Sequence, residues 1–188
     1  MVEFNDPVTN TELKYYIAKE LVKKWDKYRG GKLIKEDADL VIIVDGKERV
    51  GKSVFTLQQA KYLDPTFNID RICFTAEEFL KQIREAPQGS VVMFDESFRG
   101  LSSKGSQSRI NKEIVQALME VGQRNLIIFI VLPTFFLLEI YAAVLRSHAL
   151  IHIYRIKGMN KGRGFRIYNE KHKGMLWKNG KKKGFDYS

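Results

Sequence analysis

The sequence predicts an α/β protein with a mostly parallel central sheet flanked by helices. Three observations point there. Short β-branched runs alternate with helical patterns from residue 40 to residue 156. The runs LVIIV (40–44) and LIIFIVL (126–132) are continuously apolar, as strands covered on both faces must be. A glycine-rich turn, DGKERVGKS (45–53), joins the first of these runs to a helical segment. With 188 residues the chain can bury one sizeable core. Its 44% hydrophobic and 12% aromatic composition excludes a disordered class.

The elements are taken in chain order. Residues 10–29 read as a helix, with Asn10 or Thr11 as cap, Leu13, Ile17, Leu21 and Trp25 on one stripe, and Gly30 and Gly31 as the stop. Pattern alone leaves open whether that stripe covers the sheet or meets another subunit. LVIIV is the first sheet strand, and KSVFTLQQAKYL (52–63) is the helix after the glycine-rich turn. DRICFT (70–75) is a short strand, and residues 76–86 form a helix. VVMFD (91–95) is a third strand ending in an acid pair, Asp95 and Glu96. SFRGLSSKGSQSR (97–109) is a polar loop, residues 110–124 a helix, and NLIIFIVLP (125–133) a fourth strand. FFLLEIYAAVLRSH (135–148) reads as a helix and ALIHIYRIK (149–157) as a fifth strand. The tail alternates like short antiparallel strands, with a turn at Asn179-Gly180, giving a C-terminal β extension. The expected organisation is an N-terminal helical segment (1–37), a core (38–156) and a basic tail (157–188).

Charge and cysteine content narrow the setting. Residues 155–188 hold eleven Lys or Arg against two Asp or Glu, so nearly all of the net charge of +10 sits in the tail. That tail either meets an acidic partner or keeps the chain soluble. The single cysteine, Cys73, excludes an internal disulfide framework, and the start of the chain lacks a signal-peptide pattern. A cytoplasmic location is expected. Residues 126–145 have the length of a membrane span, but Pro133, Thr134 and Glu139 interrupt them, so no span is expected.

The chemistry centres on residues 46–53, which fit G-x-x-x-x-G-K-[ST] with Gly46, Gly51, Lys52 and Ser53. In such a phosphate-binding loop, backbone N–H groups from Gly46 through Lys47, Glu48, Arg49, Val50, Gly51, Lys52, Ser53 and Val54 wrap the phosphates of ATP. Lys52 reaches the outer phosphates, and the Ser53 hydroxyl suits Mg²⁺. Asp95, at a strand's C-terminal end, is placed to hold the same Mg²⁺, and Glu96 to orient or deprotonate water. Thr134, just past the fourth strand, is the candidate γ-phosphate sensor, or an ordinary threonine after a proline. Arg124 is the first candidate for an arginine that stabilises the transition state on a neighbouring subunit, with Arg146, Arg99 and Arg109 behind it. His148, His152 and His172 show no metal spacing and read as structural.

On GKERVGKS and VVMFDES the chain resembles the FtsK–HerA group of DNA-pumping ATPases, in the additional-strand catalytic-glutamate division of phosphate-loop proteins. Within that group it looks most like ATPase domains related to zonula occludens toxin, found in phages, archaeal viruses and mobile elements. The resemblance covers roughly residues 38–156. It implies a RecA-like P-loop NTPase fold, with a further strand between the loop strand and the acid strand. It also implies ATP hydrolysis, a homo-oligomeric ring with a hexamer among the candidate sizes, and work on DNA in packaging, segregation or transfer. Many members have Gln where Thr134 stands, and the toxin-like relatives on filamentous phages carry a membrane anchor not found here. DNA contacts are expected from Arg99, Lys104 and Arg109 in the polar loop, and from the tail, where Phe165, Tyr168, Trp177, Phe185 and Tyr187 interleave with basic residues. Those aromatics could equally pack beneath the sheet. Two other activities fit the same motif: a small-molecule kinase with Arg99 and Arg109 in a lid, and a non-translocating nucleotide-dependent assembly switch.

Overall fold

The computed structural model describes residues 2–5, 12–95, 104–158, 162–184 and 187. Its centre is a six-stranded sheet built from β3 (Leu40–Asp45), β4 (Ile72–Cys73), β5 (Val91–Asp95), β6 (Ile127–Leu132), β7 (Ala149–Arg155) and β8 (Arg163–Asn169), in the order β4-β5-β6-β3-β7-β8. Every pairing is parallel except β7 with β8. A separate hairpin pairs β1 (Val2–Asn5) with β2 (Glu12–Tyr15). The α/β class and the mostly parallel sheet flanked by helices are as the sequence predicts.

The continuous apolar runs work because successive side chains leave opposite faces of a strand. On one face Val41, Ile43, Val92, Phe94, Ile128 and Ile130 build a core. It is covered by α4 (Ala76–Glu85), α5 (Lys104–Glu120) and α6 (Glu170–Lys182). On the other face Ile42, Val44, Met93, Phe129 and Val131 meet α1 (Lys19–Trp25), α2 (Lys32–Lys35) and α3 (Lys52–Leu63). Ile17, Leu21 and Trp25 are buried in that second core, so the N-terminal stripe covers the sheet. Trp25 packs edge-on against Phe129, and its indole N–H donates to Gln59 Oε1 at 2.8 Å, fastening α1 to α3.

Four expectations need correction. The helix predicted over residues 10–29 begins only at Lys19, because residues 12–15 pair as β2. The expected loop is partly helix: residues 104–109 open α5, which ends at Glu120 and runs into a 3₁₀ turn, Val121–Gln123. Residues 135–148 form a 3₁₀ turn (Phe135–Leu137) and a π-helical turn (Tyr141–Arg146) instead of one helix. The tail forms β8 and then α6, whose start is capped by Asn169 accepting from the His172 N–H at 3.0 Å, so Asn179-Gly180 lies inside a helix. Lys173 of that helix is fully buried and donates to Val144 O and Ser147 Oγ at the end of the π-helical turn. Burial pushes its amine down to about 8. Trp177 packs edge-on against Phe135 and stacks with Phe136 in the first core. Among the described residues no helix is long and apolar enough to cross a membrane.

Phe129 is the pivot of the second face. Phe129→Ala should destabilise the fold by about 3–5 kcal/mol, since it opens a cavity in the sheet's centre and removes the edge contact with Trp25. Urea unfolding followed by tryptophan fluorescence checks this.

Candidate functional site

Parallel strands end at one edge of a sheet, so their C-terminal residues converge. Asp45 ends β3 and Asp95 ends β5. β6 runs between them, with Leu132 beside Asp45 and Val131 beside Asp95. The strand order therefore sets one strand between the loop strand and the acid strand.

The 46–53 turn leaves β3 and enters α3. Gly46 adopts φ +146°, and a Cβ there would meet Ile153 O at 2.2 Å, so β7 tolerates only a glycine against it. Arg49 and Gly51 are also left-handed, with φ of 58° and 91°. These conformations curl the backbone around the side chain of Lys52. Its amine is buried and donates to Gly46 O at 2.9 Å and Lys47 O at 3.2 Å. Burial lowers the Lys52 pKa, while the nearby negative charges of Asp95, Asp45 and Glu48 oppose the shift. Ser53 is half-buried and Val54 exposed in the first turn of α3. The turn thus joins a cation, the N–H groups of a helix start and flexible glycines, a combination able to hold phosphate oxygens.

A second cluster closes the same edge. Asp45 is fully buried, and its carboxylate accepts from the Phe135 N–H at 2.7 Å and from the Tyr187 hydroxyl, and lies 2.8 Å from His152 Nδ1. The Tyr187 hydroxyl also lies 2.7 Å from Thr134 Oγ1, and its ring stacks on His152 with centroids 3.8 Å apart. Burial and the Asp45 charge drive the Tyr187 phenol above its ordinary value, so it stays protonated. Thr134 thus sits at the loop edge, held by Tyr187. A cavity of 530 Å³ opens here, lined by Lys47, Glu48, His152, Arg155 and Tyr187.

Of the residues singled out from sequence, the structure gathers the 46–54 turn, Asp95 and Thr134 at one edge. Arg124 lies at the opposite edge, before β6, where it donates to Ala86 O at 3.1 Å, and so takes no part in this chain's own loop. Arg146 is likewise remote and structural, paired with Asp39 and donating to Leu118 O at 3.0 Å. Glu96 and Arg99 fall outside the described residues, as do the side chains of Lys104 and Arg109. The sequence reading passed over Asp45, took His152 as structural and placed Tyr187 only among the tail aromatics, so it did not bring the three together. Asp45 carried a signal, an acid closing a buried strand. His152 and Tyr187 carried none, because their contacts span more than a hundred residues of chain.

For a metal, the donor chemistry available is the Ser53 hydroxyl and the Asp95 carboxylate. These hard oxygens suit Mg²⁺, which keeps waters and phosphate oxygens as its remaining ligands. Among the described residues no group of three or more His, Cys, Asp or Glu could hold a metal by itself. Compared with known proteins, the chain matches no family model and no curated relative.

The two loop glycines should differ in cost. Gly51→Ala meets no neighbour and incurs backbone strain alone, about 1 kcal/mol, whereas Gly46→Ala adds a backbone clash and should exceed about 2 kcal/mol. Chemical denaturation of both variants measures the gap.

Proposed function

We propose that this chain is a Mg²⁺-dependent ATP hydrolase with a RecA-like P-loop fold, of the FtsK–HerA kind, coupling hydrolysis to the movement of DNA. One observation carries the reading: a buried lysine amine sits inside a glycine turn between β3 and α3, and a buried carboxylate lies two strands away across β6.

In this reading the turn's N–H groups hold the β- and γ-phosphates, and Lys52 turns its amine from the Gly46 and Lys47 carbonyls onto phosphate oxygen. Ser53 and Asp95 would hold Mg²⁺, which when bound would supply charge neutralisation to the phosphates. Glu96, next in sequence to Asp95, accepts the proton of the attacking water. A new P–O bond forms to that water oxygen while the γ-phosphorus bond to the bridging oxygen breaks, and ADP leaves. The Thr134 hydroxyl, whose one proton goes to Tyr187 because Tyr187 gives its own to Asp45, turns from that partner to donate to the terminal phosphate. A neighbouring subunit in a ring would supply an arginine; Arg124, remote from its own loop, is the first candidate for that delivery.

DNA is the proposed partner because the exposed basic residues of β8 and α6, among them Arg166, Lys171, Lys178 and Lys182, suit non-specific phosphate contacts. Arg99, Lys104 and Arg109 would add to that surface.

The test is steady-state ATP turnover at low salt, with and without single- and double-stranded DNA. Turnover should rise with DNA and fall at least about 100-fold in Glu96→Gln, with ATP binding retained. Turnover indifferent to DNA, or unaffected by the substitution, contradicts the proposal.

A further inference from the structure

A second cavity, of 630 Å³, lies on the other side of the 46–53 turn, between α3, β8 and residues 16–18. Its character differs from the charged cavity beside His152. Phe55 and Phe165 pack against each other on its lining with ring centroids 5.8 Å apart, and Ile17, Val54 and Ile153 complete the apolar surface. Its rim is unusually bare for apolar side chains: Tyr16 is 71% and Val54 60% exposed.

The groove is continuous with the turn. Gly51, Val54, Phe55 and Gln58 all line it, a spacing that places them on one face of α3. Gly51 is also the last loop residue before the helix. A ligand anchored by phosphate at the start of α3 therefore has this face as its direct continuation. Arg163 borders the groove and donates from Nε to Val50 O at 3.1 Å, fixing β8 to the loop. Its planar guanidinium and the Gln58 amide supply the polar edge that an aromatic heterocycle needs.

We infer that the groove between α3 and β8 holds the base of the bound nucleotide, with Phe55 and Phe165 as apolar walls and Gln58 and Arg163 at its polar edge. The assignment rests on the nucleotide reading proposed above. It gives the two cavities different tasks. The charged one beside His152 and Tyr187 receives the phosphate end and its water, and the aromatic one receives the heterocycle. It also gives the antiparallel strand β8 and the segment before α1 a direct part in ligand binding.

The experiment is calorimetric titration of the full chain with Mg·ATP and, separately, with Mg·tripolyphosphate, which has the phosphates and no base. Two variants are compared with the wild type: Phe165→Ala removes one wall, and Gln58→Trp fills the groove from a half-buried position. Both should weaken ATP about tenfold or more while leaving tripolyphosphate within about twofold. Gln58→Trp keeps the test decisive if Phe165→Ala fails to fold. Parallel losses for both ligands, or no loss for ATP, overturn the assignment. So does a change confined to self-association, which would make the groove a contact between copies. A wild-type chain that binds tripolyphosphate but gains nothing from the base overturns the groove assignment alone. One that binds neither ligand contradicts the nucleotide reading itself and removes the assignment with it.

Discussion

Asp45 ends the central strand with its carboxylate shielded from solvent, and a buried charge in that position is tolerable only if its oxygens are satisfied. Three parts of the chain meet that demand. Phe135 supplies a backbone N–H from beyond the end of β6, His152 a ring nitrogen from β7, and Tyr187 a hydroxyl from the tail. The loop edge is therefore tied together at one carboxylate. The bond from Phe135 also shapes the chain beyond β6. It holds the backbone in a 3₁₀ turn, and Thr134 stays at the strand tip within reach of Tyr187.

The sheet's order gives that edge its chemistry. β3, β5 and β6 are buried on both faces, so their ends are held by packing across the whole domain, not by the loops. Inserting β6 between β3 and β5 separates Asp45 and Asp95 by one strand, yet both charges act on the buried Lys52 amine. A cation confined among carboxylates and peptide carbonyls is poised to exchange those partners for a more strongly anionic ligand.

The central strands were readable because apolar, largely β-branched residues fill them, and the turn because glycine positions and Lys52 are dictated by local geometry. The intervening position of β6 came from the family resemblance, since spacing alone does not give strand order. The failures have physical reasons. Leu21 and Trp25 do share a face of α1, with Ile17 packed beside them just before the helix, but the same spacing extended by chance through residue 13 into β2, where pairing with β1 overrides it. Gly174 and Gly180 disguised α6, whose stability comes from the Asn169 cap, the buried Lys173 amine and Trp177 packing. The basic count of the tail likewise misled in part, because Lys173 is an internal fastening unavailable to a partner. Strand direction, which the pattern does not give, places Arg124 at the edge far from its own loop.

The central claim is that the 46–53 turn binds a nucleotide together with Mg²⁺. Thermal unfolding of the full chain, with a non-hydrolysable ATP analogue and Mg²⁺ at about 100 times the dissociation constant, tests it most directly. Binding to the native state alone should add about 2.7 kcal/mol, which raises the melting temperature by roughly 5–10 °C for a domain of this size. A melting temperature unmoved by millimolar analogue and Mg²⁺ would contradict the account.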